Sequence, residues 1–383
     1  MSPAEIHDYA IIGAGMAGAS TGYRLSIAGA SVIVLEQESS PGYHATGRSA
    51  AMFMETYGTE HIRALTRASR DFFLNPPAGF TDHPILTPRG VLYIAQAGQE
   101  AELAAAHAAY SAQHLEVKQL TAEQAVAMVP CLKPDTLIDA IYDKMGSDMD
   151  VDALHQGFLR GIRHHGGQVV QNARLEAARR EDDVWVLTTP AGEIQARVLV
   201  NAAGAWADPV ATLCGAAPLG IQPMRRSAFL FPAPEGVDVT HWPTVLAVDE
   251  SFYFKPDAGA LLGSPANADP VPPHDVVAEE FDIALGIHRI ESATTLTIRR
   301  PSHTWAGLRS FAPDHEFVIG PDPARQGFFW VAGQGGYGIQ TAAAASELAA
   351  ALLMGRPVPS TLTQHGVSAE AVAPTRFARS DTP

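Results

Sequence analysis

The chain has 383 residues, 46% of them hydrophobic and 17% charged, with 33 glycines and 28 prolines; it is long enough for a large buried core and reads as a turn-rich globular protein. The formal net charge of -15 opposes long-range attraction to nucleic acid or an anionic membrane surface. Cys131 and Cys214, far apart and in no CxxC spacing, support neither a disulfide framework nor a zinc site.

The first seven residues, MSPAEIH, lead straight into an apolar stretch, so no cleavable leader fits. Ala10-Ile11-Ile12 reads as a buried strand and Val32-Ile33-Val34-Leu35 as a second, with room between them for one helix of about three turns. The turn between strand and helix is Gly13-Ala14-Gly15-Met16-Ala17-Gly18. This is the GxGxxG pattern in the context that gives it meaning. Gly13 permits the tight turn, Gly15 lets a pyrophosphate approach, and Gly18 allows helix and strand to pack closely. Met16 and Ala17 lie at the helix start, where free N–H groups and the positive dipole end favour an anion. Glu36 closes the second strand, where a carboxylate takes ribose hydroxyls. These features predict a dinucleotide cofactor but do not separate NAD from FAD.

Further along, residues 98–115 are helical by propensity. Thr121-Ala122-Glu123-Gln124 forms a capping box for a short helix that stops by Pro130. Residues 151–165 place Val151, Leu154, Phe158 and Ile162 at helical spacing. His164 and His165 end that helix before Gly166-Gly167; adjacent helical residues are poor co-ligands for a metal, and cations suit a helix C-terminus. Residues 168–206 read as successive strands with a turn at Ala191-Gly192, the last running into Asn201-Ala202-Ala203-Gly204. From about 220 to 311 the pattern is strand-like throughout, with Pro-rich connections at 232–234 and 270–273. Residues 327–357 read as a strand, a glycine loop and an Ala-rich helix ended by Gly355 and Pro357, and the tail beyond about 365 is polar. The most apolar run, 341–354, is interrupted by Glu347, so no integral membrane segment is expected and the cytoplasm is the expected location.

Seven stretches, GAGMAGASTGY, PGYHATGRSAA, NAAGAW, QPMRRSAF, ESFYFKPDAG, TIRRPSHTWAGLRSF and GQGGYGIQT, give the chain from about residue 8 to 365 a close resemblance to the FAD-dependent D-amino acid oxidase/dehydrogenase superfamily, and within it to the D-arginine dehydrogenases. The resemblance implies an α/β fold: a glutathione-reductase-type FAD-binding Rossmann domain interleaved with an antiparallel-sheet α+β substrate domain. The cofactor domain is expected from 1–85, 146–218 and 312–365, the substrate domain from 86–145 and 219–311, and a polar tail over 366–383. It also implies that FAD, held non-covalently, contacts Thr46, Gly47, Arg48, Ser49, Ala50, Leu175, Ala203, Gly204, Gly333, Gly335, Gly336, Tyr337, Gly338 and Ile339. In this reading Arg48 offsets phosphate charge. His44, near the loop, keeps a covalent link open.

On the substrate side the resemblance implies that Arg226 and Arg309 hold an α-carboxylate, for which the guanidinium fork is suited. Tyr57 and Tyr253 donate to the same carboxylate, and the Gly336 carbonyl accepts from the amine. Ile339 and Gln340 complete the substrate wall, and the segment around 49–60 is a mobile lid. The chain departs from the D-arginine pattern at three places. Val91 follows the Thr87-Pro88-Arg89-Gly90 turn where that pattern has an acid, and Met52 and Met54 replace polar lid residues. A desolvated guanidinium without a carboxylate would cost several kcal/mol, so apolar D-side chains are expected over D-arginine. Glu55 would restore basic substrates if it faced inward.

The implied reaction is oxidative deamination of a D-amino acid to a 2-oxo acid and ammonia, a hydride passing from Cα to flavin N5. The electrons then go to an acceptor (oxygen, a quinone or another). Two alternatives carry the same glycine motifs: a sarcosine-, glycine- or proline-type amine oxidoreductase, and a non-catalytic flavin-binding protein.

Overall fold

The computed structural model describes residues 5–112 and 117–377. In chain order, β1 (Ile6–Ile12) runs through the glycine turn into α1 (Met16–Ile27) and β2 (Val32–Leu35), and β3 (Met52–Phe53) precedes α2 (Glu60–Leu74). Then come β4 (Leu86–Pro88), β5 (Val91–Gln96), α3 (Glu100–Ser111), β6 (Val117–Thr121), α4 (Ala122–Met128), β7 (Leu137–Asp143) and β8 (Ser147–Met149). Helix α5 (Val151–His164) leads to β9 (Gln168–Val170), β10 (Ala177–Glu181), β11 (Val184–Thr189), β12 (Gly192–Asn201) and α6 (Ala207–Leu213). The rest is β13 (Gln222–Pro232), β14 (Thr244–Ala247), β15 (Tyr253–Asp257), β16 (Ala260–Ser264), β17 (Asp269–Pro270), α7 (Glu280–Ala293), β18 (His303–Phe311), β19 (Val318–Pro321), β20 (Phe328–Ala332), β21 (Gln334–Gly335) and α8 (Ala342–Leu353).

One sheet has the order β10-β11-β12-β1-β2-β9, with β20 on β12 and β19 on β20. Strands β1, β2, β9, β12 and β20 pair in parallel. In β2, β20 and the C-terminal ends of β1 and β12 successive side chains are buried on both faces, which is why these stretches read as continuous apolar runs. Ile11, Val34, Val200 and Phe329 pack under α1, α5 and α8, while Ala10, Ile33, Leu199 and Trp330 pack against α6 and Trp185 of β11. β1 is longer than its apolar centre because Ile6 and His7 also pair with β12. The second sheet has the order β21-β18-β13-β16-β15-β14-β5-β7-β6, with β17 on β13. One of its faces carries Leu92, Phe229, Val245 and Phe254 against α4 and α7; the other carries Val91, Tyr93, Leu246, Tyr253 and Leu262 toward Met54. A small third sheet, β3-β8-β4, joins the two regions.

The capping box at Thr121 and Gln124 is formed, and α5 starts on an Asp150 cap. Helix α3 ends at Ser111; the last residues of the helix expected over 98–115, at 113–116, lie outside the described residues, as does the end of the expected tail, 378–383. The strand-like reading of 220–311 is corrected by α7, whose Ile283, Gly286, Ile290 and Ala293 form a buried helical face. Strand β21 belongs to the second sheet although its residues fall in the stretch expected for the cofactor domain.

Candidate active site

The glycine turn is shaped by close backbone approach. Gly13 has φ +99, and a Cβ there would lie 2.6 Å from the Ala202 carbonyl oxygen; one on Gly18 would lie 1.9 Å from the Gly13 oxygen. Between them the Ala14 peptide is held from both sides. Its N–H donates to Glu36 Oε2 (2.8 Å), and its carbonyl accepts from His155 Nε2 (2.8 Å) on α5. The other Glu36 oxygen accepts from Glu38 N–H (3.0 Å). Burial pushes the Glu36 carboxyl up, against the pull of these two donors. The Met16 N–H donates to Thr46 Oγ1 (2.9 Å), which ties the loop around residue 46 to the start of α1.

A cavity runs from this turn to the second sheet. Gly13, Gly15, Met16, Ala17, Glu36, Thr46, Arg48, Ser49 and Ala50 line one end, with Leu175, Ala203 and Gly204 beside them. Gly333, Gly335, Gly336, Gly338 and Ile339 line the other. Gly18, Gly47 and Tyr337 stand behind this surface: Gly47 closes a tight turn on the Gly42 carbonyl, and Tyr337 packs on Tyr57 with ring centroids 4.9 Å apart. Arg48 lies at the cavity, but its guanidinium already binds Asp275 (2.5 Å) and the Val276 and Ala306 carbonyls (2.9 and 3.2 Å). These bonds fasten the loop to the segments around 275 and 306. His44 Nε2 donates to Glu38 Oε1 (2.9 Å), and the ring packs on Trp206.

These residues fit a flavin dinucleotide. The first turn of α1 carries no acidic side chain, so its dipole end is open to an anion. Glu36 faces the cavity, and Ser310 Oγ, also on the cavity wall, is buried with no hydrogen-bond partner among the described residues. Ser310, Trp206 and Arg174 are cavity residues that sequence reasoning did not single out.

The second sheet delivers the polar end. Along the β13–β18 ladder Met224 faces Arg309 and Arg226 faces Gly307, so Arg226 and Arg309 are diagonal neighbours on one face. Tyr253 of β15 lies opposite Ser264 of β16, and Arg226, Tyr253 and Arg309 all line the cavity. Strand β21 pairs with Ser310 and Phe311, which sets Gly336 against Arg309: a Cβ on Gly336 would lie 2.7 Å from Arg309 Nη1. Arg309 Nη1 donates to the Tyr57 hydroxyl (3.1 Å). Arg226 Nε donates to the Asn267 carbonyl (2.5 Å). Burial, and then the neighbouring Arg309, push the Arg226 guanidinium down to about 10. Among the described residues neither arginine is ion-paired to a carboxylate. Glu250, exposed on the β14–β15 turn with φ +56, is the acid whose field reaches Arg226 and Tyr337; nothing in its local sequence marks it.

The expected lid is tied down on both sides. Thr56 Oγ1 bonds the Tyr93 hydroxyl (2.7 Å), and the Met54 N–H donates to Gln340 Oε1 (3.3 Å), whose amide in turn donates to Thr66 (2.9 Å). Gln340 is buried between lid and α2, with its amide engaged at both ends. Met54 and Val91 are buried in one apolar cluster with Tyr93, Leu246 and Tyr253, and Met52 packs on it at the edge. They form the wall behind the clamp and do not line the cavity itself. Glu55 is turned to α2, where Arg70 Nε binds it at 2.5 Å and also covers the Phe53 ring.

A family model described as FAD dependent oxidoreductase matches residues 8–352. Mouse mitochondrial sarcosine dehydrogenase is 26% identical over 376 residues; the match covers 91% of this chain and 40% of that enzyme, so the chain spans well under half the length of this relative. Escherichia coli N-methyl-L-tryptophan oxidase is 22% identical over 360 residues, covering 90% of this chain and 94% of the oxidase. Among solved structures, L-proline dehydrogenase from P. horikoshii superposes with a TM-score of 0.83 at 21% identity, covering 98% of this chain and 99% of that one.

Proposed function

The chain belongs to the FAD dependent oxidoreductase family, and from that premise we propose that it oxidises the amine of an amino acid whose carboxylate is held by Arg226 and Arg309. One observation carries this reading. Two guanidinium groups face one cavity from adjacent strands, one of them bound only to a neutral carbonyl and the other to a phenol. Burying such a pair is unfavourable until an anion joins it. A carboxylate accepts in the plane of the guanidinium fork and offsets both charges. In this reading the Tyr57 and Tyr253 hydroxyls would add donors, and the Gly336 carbonyl would accept from an amine N–H. Positioning of this kind supplies much of the rate of a two-reactant step.

The glycine turn, Glu36, the Thr46 loop and the 333–339 loop would hold FAD. When bound, the flavin would supply the redox chemistry as the acceptor of a hydride from the carbon that bears the amine, the nitrogen losing a proton as the carbon–nitrogen double bond forms. Among the described residues there is no His, Asp or Glu on the clamp surface to serve as a dedicated base, so the amine proton is assigned to solvent.

Relatives named for sarcosine, N-methyl-L-tryptophan and L-proline support a small or N-substituted amine of the sarcosine, glycine or proline type. The second reading is a D-amino acid with an apolar side chain; Met54 and Val91 share an apolar cluster with Tyr253 and Met52 packs on its edge, so apolar side chains back the clamp. D-Arginine is the least favoured of the D-forms, since Val91 offers no charge and Glu55 is already bound to Arg70.

Anaerobic bleaching of the bound flavin tests these readings together. Sarcosine, glycine, L-proline and N-methyl-L-tryptophan are compared with D-leucine, D-methionine, D-arginine and their L-forms. Bleaching by the first group supports the N-substituted or small-amine class. Bleaching by apolar D-forms moves the D-amino acid reading to the front. Silence from every amino acid would discard the oxidase reading in favour of a non-catalytic flavin protein.

A further inference from the structure

Adjacent residues on a strand point to opposite faces, and on β13 two adjacent arginines meet different surroundings. Arg225 turns toward acids: its Nε donates to Asp282 (2.9 Å), its Nη2 to Asp269 (3.3 Å) and its Nη1 to Glu279. Arg226 turns to the cavity, where among the described residues its hydrogen-bond partner is the Asn267 carbonyl. Asn267 stands between the two. Its main chain serves Arg226, while its side chain serves the acid cluster: Nδ2 donates to Asp269 Oδ2 (2.6 Å) and Asp282 Oδ2 (3.0 Å), and Oδ1 accepts the Ser227 N–H (2.9 Å). The preceding residue, Ala266, sits at φ +51, a strained choice for a residue with a side chain. It is held there by Ser264, whose Oγ takes the Ala266 N–H (3.0 Å) and donates to the Ser227 carbonyl (2.6 Å).

We propose that Asn267 is a positioning residue for the substrate-carboxylate clamp: its side chain anchors the 264–269 turn to the acids beneath Arg225, so that its main-chain carbonyl aims Arg226 without neutralising it. A carboxylate in that place would also orient Arg226, but it would form an internal ion pair that a substrate must displace. A neutral acceptor fixes Nε and leaves the Nη groups and the full charge to the ligand. The side-chain amide meanwhile keeps Asp269 and Asp282, the nearby acids, on the Arg225 side. Asp282 Oδ2 already accepts from Arg225, Asn267 and the Ser227 hydroxyl (2.7 Å). This inference rests on the carboxylate reading of the two arginines.

The test uses the FAD-loaded protein and propionate as probe, with propionamide as its uncharged counterpart, read by the change in the flavin visible spectrum. Wild type is expected to bind propionate and ignore propionamide, and Arg226→Met to lose propionate. Asn267→Ala should weaken propionate about ten- to hundredfold, with FAD content and Tm close to wild type. Asn267→Asp should weaken it at least as much, because it loses the donor and adds a carboxylate to two others. Asp282→Asn, remote from the cavity, is the second route to the same loss. Propionate binding unchanged in all three variants overturns the role of Asn267 while leaving the clamp intact. Loss of FAD in step with propionate in all three also overturns it, since Asn267 would then be holding the fold. If wild type ignores propionate, or Arg226→Met binds it normally, the carboxylate reading fails and this inference with it.

Discussion

Replacing Gly336 by alanine should damage the clamp. Gly336 does not occupy the left-handed region, so alanine fits its backbone. The new Cβ would lie 2.7 Å from Arg309 Nη1 and 2.8 Å from Cζ, against 3.4 Å for ordinary contact. The guanidinium must therefore retreat by about 0.7 Å (3.4 minus 2.7). A shift of that size stretches the 3.1 Å bond to Tyr57 beyond useful hydrogen-bond length. It also carries the fork away from the point it shares with Arg226. Losing one hydrogen bond to a charged group is worth about 1.5–3 kcal/mol, or roughly 10- to 150-fold in carboxylate affinity. The three nearest protein atoms to the added methyl all belong to Arg309; because Gly336 also lines the cavity, propionate affinity is compared per FAD bound. Propionate titration of the FAD-loaded variant, with FAD released and quantified in parallel, measures both. Wild-type propionate affinity in Gly336→Ala would refute the placement of Arg309 in the clamp.

Three further outcomes are expected. Gly18→Ala, with its Cβ 1.9 Å from the Gly13 oxygen, should yield protein without FAD and with a Tm lowered by several degrees, read by absorbance and calorimetry. His155→Leu should weaken FAD binding roughly tenfold by leaving the Ala14 carbonyl unpaired, and His155→Gln, which keeps a donor, should recover part of it in a titration of apo-protein. Burial holds the His155 imidazole below its ordinary value. Between that ordinary value of about 6.5 and its lower folded value, unfolding takes up a proton, so Tm should fall as pH drops below about 6.5, and fall less in His155→Gln. Glu55→Gln should lower Tm by breaking the pair with Arg70 and leave the order of substrate preference unchanged in the bleaching panel.

The glycine turn, Glu36 and helix α5 were legible because local chemistry dictates them: a tight turn needs glycine, and a buried helical face repeats on schedule. Helix α2 was missed because its buried face includes Thr66 and Ser69, whose hydroxyls bond back to the Ile62 and Leu65 carbonyls; polar residues there hide the period. Helix α7 was misread because its buried face uses Gly286 beneath Phe229, and its isoleucines look β-forming. The clamp residues were named by resemblance; in isolation each is one arginine on a strand. What joins them is the β13–β18 register, a pairing across about eighty residues of chain that no local pattern encodes. The direction of Glu55 was likewise undecided until Arg70, fifteen residues on, was seen to hold it.

The order in which the chain leaves the ribosome conflicts with the order of its central sheet. β1 and the glycine turn are made before the other strands of this sheet, yet β1 lies between β2 and β12, and α1 packs against α8 far along the chain. A nascent βαβ unit therefore emerges with one sheet edge and one helix flank uncovered until residues 192–201 and 342–353 have been made. Long-range parallel pairing of this sort is slow and leaves apolar surface exposed while it waits. FAD held as proposed between the glycine turn and the 333–339 loop would act as a late fastener, so flavin supply during synthesis should govern how much chain reaches the native state and how much is lost to aggregation.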